Sequence, residues 1–86
     1  MSQTRATVTT DWSLVADFTG KYVKYMSVSR EEEVELQIGF GSTQPTVAEF
    51  ILTESFLAIQ TRRVPSGSKV WARTLASTAD VVINYD

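Results

Sequence analysis

Residues 33–40 read Glu33-Val34-Glu35-Leu36-Gln37-Ile38-Gly39-Phe40, with Val34, Leu36, Ile38 and Phe40 alternating strictly with polar residues or glycine. A period of two places one apolar row on one side of an extended chain, the pattern of a half-buried β-strand. A helix needs apolar residues three and four apart, and such a face here would mix Val34 with Gln37. Residues 12–16, 22–28, 48–53, 56–61, 69–74 and 79–85 share a bias toward Val, Ile, Phe, Tyr, Trp and Thr, side chains that suit a pleated surface. Together these make seven strands. Arg5-Ala6-Thr7-Val8-Thr9, ahead of the turn-forming Asp11, is a candidate eighth.

Turn-forming clusters separate the strands: Thr19-Gly20-Lys21, Ser29-Arg30-Glu31-Glu32, Gly41-Ser42-Thr43-Gln44-Pro45-Thr46, Thr53-Glu54-Ser55, Val64-Pro65-Ser66-Gly67-Ser68 and Ala76-Ser77-Thr78. They recur at about the 8–12-residue spacing of a sandwich or barrel. Connections this short force neighbours to pair antiparallel or to cross between two sheets, because a parallel neighbour needs a crossover of about a dozen residues. The one helical competitor, residues 46–60, is rich in β-branched Thr46, Val47, Ile51, Thr53 and Ile59 and is interrupted at Glu54-Ser55. That leaves room for no more than a helical turn at 46–49. The expectation is an all-β chain, an antiparallel β-sandwich of about seven or eight strands with a jelly-roll-like plan. Residues 1–86 form a single domain, with 1–4 as a flexible or partner-contacting arm.

Length and composition change this picture in one respect. A chain of 86 residues has one small core, buries only about 60% of its unfolded surface and needs reinforcement. It contains no cysteine and no histidine, which removes disulfides and the commonest zinc ligands, so oligomerisation is the remaining means. A net charge of −2 and a pI near 5.0 argue against a nucleic-acid binder that works by bulk phosphate neutralisation. No stretch has signal-peptide character or approaches the apolar length of a membrane span, so a soluble, unprocessed chain is expected.

Candidate chemistry is sparse. The acids Glu31-Glu32-Glu33, Glu35, Glu49, Glu54, Asp11, Asp17 and Asp80 are the candidates for a paired-carboxylate hydrolase. The glutamate run reads instead as a solvated hairpin end, and it lacks the spaced acidic pattern of a calcium loop. Serine has no histidine to act as its general base. Gly39-Phe40-Gly41 lacks the lysine and helix of a phosphate loop; Gly39 instead leaves room for a bulky neighbour across the sheet. No catalytic residue, cofactor or metal site is expected, and the chain reads as a non-enzyme.

Interface residues are better represented. Trp12, Trp71, Tyr22, Tyr25 and Tyr85 could serve as flat platforms or as packing. In Lys69-Val70-Trp71-Ala72-Arg73 the alternation puts Lys69, Trp71 and Arg73 on one face, either exposed or buried at an interface. Arg62-Arg63, at a strand end before Pro65, is a candidate bidentate contact for an acidic partner. The partner-interface set is therefore Trp12, Arg62, Arg63, Trp71 and Arg73.

Three stretches carry a resemblance. They are Thr9-Thr10-Asp11-Trp12-Ser13-Leu14-Val15-Ala16, Pro65-Ser66-Gly67-Ser68-Lys69-Val70-Trp71-Ala72-Arg73 and the closing Ala79-Asp80-Val81-Val82-Ile83. They resemble a family of short bacteriophage virion proteins, with an opening Asp-Trp, a Ser-Gly-x-x-Val-Trp-Ala-Arg strand and an apolar last strand. The acidic stretch 30–35 and the short loop 41–46 depart from that pattern. The resemblance implies a small β-sandwich that decorates, cements or attaches to the particle, in the virion and assembled in the host cytoplasm. The expected partners are copies of itself, with a trimer favoured, and a capsid or other virion protein, with no nucleic acid and no membrane. The alternative is a tail or fibre module contacting host glycan or another tail protein.

Overall fold

The computed structural model describes residues 2–52 and 59–86. Its elements, all strands, are β1 Ser2–Val8, β2 Ser13–Asp17, β3 Tyr25–Arg30, β4 Leu36–Gly41, β5 Phe50–Leu52, β6 Gln60–Arg63, β7 Lys69–Thr74 and β8 Ala79–Tyr85. They form two four-stranded sheets, in the orders β1-β8-β3-β6 and β2-β7-β4-β5, with every pairing antiparallel.

The topology arises from one operation. Strands β1 to β4 run out and β5 to β8 run back, so β1 pairs with β8, β2 with β7, β3 with β6 and β4 with β5. Folding that long ribbon across itself adds the contacts β3 with β8 and β4 with β7, which is the jelly-roll plan. Among the described strands, only β4 and β5 are consecutive and paired; in every other consecutive pair the two strands belong to opposite sheets.

Alternation sets the core. The inner face of the first sheet carries Val8, Met26, Val28, Val81 and Ile83, and that of the second carries Leu36, Ile38, Phe50, Leu52, Val70 and Ala72, all buried. Phe18, Val23 and Val64, from connections, join the same cluster, and the Phe18 and Tyr85 rings meet at 4.7 Å. Each fully buried Leu or Ile in such a cluster contributes about 1.5–3 kcal/mol. Two turns are set by glycine. Lys21 N donates to Phe18 O at 2.9 Å and Ser68 N to Pro65 O at 3.2 Å, with Gly20 and Gly67 third in their turns at φ of 76° and 67°, as a type II turn requires.

Several expectations shift. Ser2, Gln3 and Thr4, expected in a free arm, are the first residues of β1, opposite Tyr85, Asn84 and Ile83. The reason is that β8 runs to Tyr85 and supplies them with partners, reinforced by a Gln3 Nε2 hydrogen bond to Asn84 Oδ1 at 3.2 Å. The stretch 42–49 is irregular, without a helical turn. The sixth strand begins at Gln60 and runs through Arg63, beyond the expected end at Thr61. Residues 56–58 of that expected strand, Thr53 at the end of the 48–53 segment and the turn at Thr53-Glu54-Ser55 lie outside the described residues.

Candidate functional site

Opposed residues in an antiparallel pair share a face, so the register fixes what the outer face of the second sheet displays. Leu14 lies opposite Trp71, Asp17 opposite Lys69, Gly39 opposite Trp71, and Gln37 opposite both Arg73 and Ile51. A polar face would be usual for the solvent side of an antiparallel sheet. This one carries Trp71 at its centre, with Leu14 46% and Ile51 43% exposed on the strands at its two edges.

A second, smaller packing unit is built on that face. Trp12, from the connection before β2, is only 9% exposed yet stands outside the main core. It lies over Gly39 together with Pro45 of the 42–49 loop. The Arg73 guanidinium sits 4.5 Å from the Trp12 ring centroid and its Nε donates to Gln37 Oε1 at 2.7 Å. The Trp71 Nε1 donates to the Gly41 carbonyl at 3.1 Å. Cation–π stacking and hydrogen bonding thus hold both indoles and the guanidinium in fixed orientations.

At the margin, Asp17 is held below the usual aspartate pKa. The hydroxyl and then the N–H of Thr19 hydrogen-bond the carboxylate, the N–H at 2.9 Å. Burial opposes the shift slightly, and Lys69 and Lys21 add attraction.

Of the five residues singled out in the sequence, Trp12, Trp71 and Arg73 come together here. The arginine doublet does not. Arg62 opposes Met26, on the inner side of β6, while Arg63 opposes Tyr25 on the outer side. Arg62 stacks at 4.7 Å on the Phe50 ring, closing the gap between the edges β5 and β6. Arg63 borders a shallow cleft of about 380 Å³ with Tyr22, Lys24 and Ser66. A doublet in a turn could act as one bidentate contact; a doublet in a strand is split by the pleat.

Leu14, Gln37, Pro45 and Ile51 were not singled out in the sequence, although they complete the site. Leu14 and Ile51 reach it through cross-strand register, and Pro45 through a loop path. Neither is written in local periodicity.

The outer face of the first sheet is different in character. Tyr25, Ser27, Thr61 and Asn84 line a cleft of about 410 Å³, with Ser27 and Thr61 hydroxyls 3.0 Å apart. The glutamate run ends this sheet: Glu31 is ion-paired with Arg5 and Glu32 Oε2 accepts the Asp80 N–H at 2.7 Å. Among the described residues no group of three or more acidic side chains is placed to hold a metal ion. No family model, curated protein or solved structure matches the chain, so its function is argued from this geometry.

Proposed function

We propose that the chain is a non-enzymatic structural protein of a bacteriophage particle, a decoration or cement protein that works as a homo-oligomer on the capsid surface. The observation that supports this reading is the outer face of the second sheet, where Trp71 and the Trp12–Arg73 stack form an ordered plate between exposed Leu14 and Ile51. Aromatic and arginine side chains enriched around an apolar centre are the composition of a protein interface. Rigid side chains also lose little entropy on docking. The jelly-roll plan is one that capsid proteins share with lectins and cupins, so the plate, not the fold, carries the argument.

Co-sedimentation with empty capsids tests it. Wild type is expected to pellet with them, and Leu14→Asp or Ile51→Asp to weaken binding by at least about tenfold, as expected for an unpaired charge buried against a partner. Circular dichroism checks that each variant stays folded. A stable monomer at micromolar concentration that ignores empty capsids overturns the proposal.

A second reading, a tail or fibre module for host glycan, draws on the first sheet's outer face. There Tyr25 borders the cleft lined by Ser27 and Thr61, and in the connection before β3 Tyr22, 83% exposed, stands beside Lys24 and Arg63. Flat rings beside hydrogen-bonding groups suit a sugar. A glycan array separates the two readings, since a cement protein needs no sugar ligand.

A further inference from the structure

The two sheets leave four strand edges, and three are blunted in recognised ways. The β5 edge is three residues long among the described residues. The β6 edge is four residues long and charged by Arg62 and Arg63. The β2 edge is broken by a register shift between Leu14 and Ala16. Short length, charge and bulges are the devices that keep an edge from pairing with another chain. The fourth edge, β1, has none of them. It is seven residues long, pairs with β8 at every position without a shift, and contains no proline or lysine. Its one charge, Arg5, is already paired with Glu31.

The main-chain groups that β1 leaves open can be identified. Glu31 N donates to Asp80 O at 3.1 Å and Asp86 N to Tyr25 O at 3.4 Å, and these pairs continue the β3–β8 register by one residue beyond each of its ends. Hydrogen-bonded pairs alternate along an antiparallel ladder. Asp80, Val82 and Asn84 therefore turn their main-chain groups toward β3, and Ala79, Val81, Ile83 and Tyr85 turn theirs toward β1. The latter face Val8, Ala6, Thr4 and Ser2. Gln3, Arg5 and Thr7 are left pointing their N–H and C=O groups away from the sheet. Among the described residues, no backbone hydrogen bond outside the β1–β8 ladder involves residues 2–8.

We propose that this edge pairs antiparallel with the β1 edge of a second copy, joining two four-stranded sheets into one continuous sheet across a two-fold axis. Identical strands satisfy each other in such a pair, and an isologous contact closes without forming fibres. A register centred on Thr4 or on Ala6 sets Arg5 opposite Gln3 or Thr7 of the second copy, so no like charges meet. A register centred on Arg5 would oppose the guanidiniums and is disfavoured. The pairing supplies the reinforcement that a small core without cysteine calls for. It replaces the trimer expected from sequence with a dimer, and it holds or fails regardless of membership in a virion.

Amide hydrogen exchange by NMR, followed from micromolar to millimolar concentration beside sedimentation, tests the pairing. In dilute solution Thr4, Ala6 and Val8 are expected to be protected while Gln3, Arg5 and Thr7 exchange rapidly. As the dimer forms, those three amides gain at least about tenfold protection. Arg5→Pro deletes an outward N–H and no β8 hydrogen bond, and is expected to be a monomer. Arg5→Ala keeps that N–H and should still dimerise. A monomer at millimolar concentration, or any oligomer, a trimer included, in which the three amides stay fast, overturns the proposal. Should Arg5→Pro fail to fold, the exchange pattern of the wild type decides alone. Capsid binding by folded, monomeric Arg5→Pro would leave the virion reading standing without an obligatory dimer.

Discussion

A Cβ built on Gly39 would lie 2.7 Å from Cγ and 3.1 Å from Cβ of Pro45, and 3.5 Å from the Trp12 ring. The proline ring is stiff, so a methyl group there must move the loop rather than rotate a flexible side chain. Moving Pro45 also disturbs Trp12, and with it the stack against Arg73. Gly39→Ala is therefore expected to destabilise the fold by about 1–3 kcal/mol, the usual cost of overpacking, as measured by urea unfolding. Pro45→Ala removes the nearest atom and should recover part of the loss. A double-mutant cycle then gives a coupling of about 0.5 kcal/mol or more, and strict additivity would contradict the packing. The sequence showed that Gly39 makes room for something bulky. It could not show that the occupants are a proline six residues on and a tryptophan from another connection, because both arrive through loop geometry.

Elements were more legible than their sites, and β7 shows why. Lys69-Val70-Trp71-Ala72-Arg73 divides into two faces by alternation alone, and the structure buries Val70 and Ala72 while turning Trp71 and Arg73 outward. The same rule, applied beyond the expected strand end at Thr61, splits Arg62 from Arg63. It fails at β2, where the bulge turns both Val15 and Ala16 inward, since an extra residue has no local signature in a short apolar run. The turn after β2 is legible again. Asp17-Phe18-Thr19-Gly20 has an acceptor two residues before a donor and a glycine at positive φ. Thr19 hydrogen bonds lower the Asp17 pKa, with smaller help from Lys69 and Lys21. A lowered folded-state pKa means stability that is present above the unfolded-state pKa and lost as pH falls through the folded one. The stability gap between wild type and Thr19→Val is thus expected to be widest near neutral pH and to shrink in acid, below the ordinary aspartate range. A titration of the Asp17 carboxyl carbon by NMR should show its midpoint rise in Thr19→Val. An unchanged midpoint would remove the Thr19 hydroxyl as the leading cause, since valine keeps the N–H bond.

The path of the whole chain links its most distant parts, since Ser2 opposes Tyr85 and β8 joins β1 to β3 in one sheet. Strand identity was readable from composition, whereas this order was not, because periodicity says which face is buried and nothing about which strand lies alongside. The order has a kinetic consequence. Pairing the two ends closes the longest loop in the molecule, and contacts so distant in sequence slow the folding of all-β domains to about milliseconds to seconds. A circular permutant with a short Gly/Ser linker from Asp86 to Ser2, opened at Ser66-Gly67, converts the β1–β8 pair into a local hairpin. The cut separates β6 from β7, which belong to different sheets and do not pair, so no ladder is lost. The turn it opens holds one backbone hydrogen bond, Ser68 N to Pro65 O. The permutant is expected to keep its strand content by circular dichroism and to refold several-fold faster in stopped-flow experiments, at a modest equilibrium cost for the broken turn. Refolding no faster than wild type would mean that the end-to-end pair forms after the rate-limiting step.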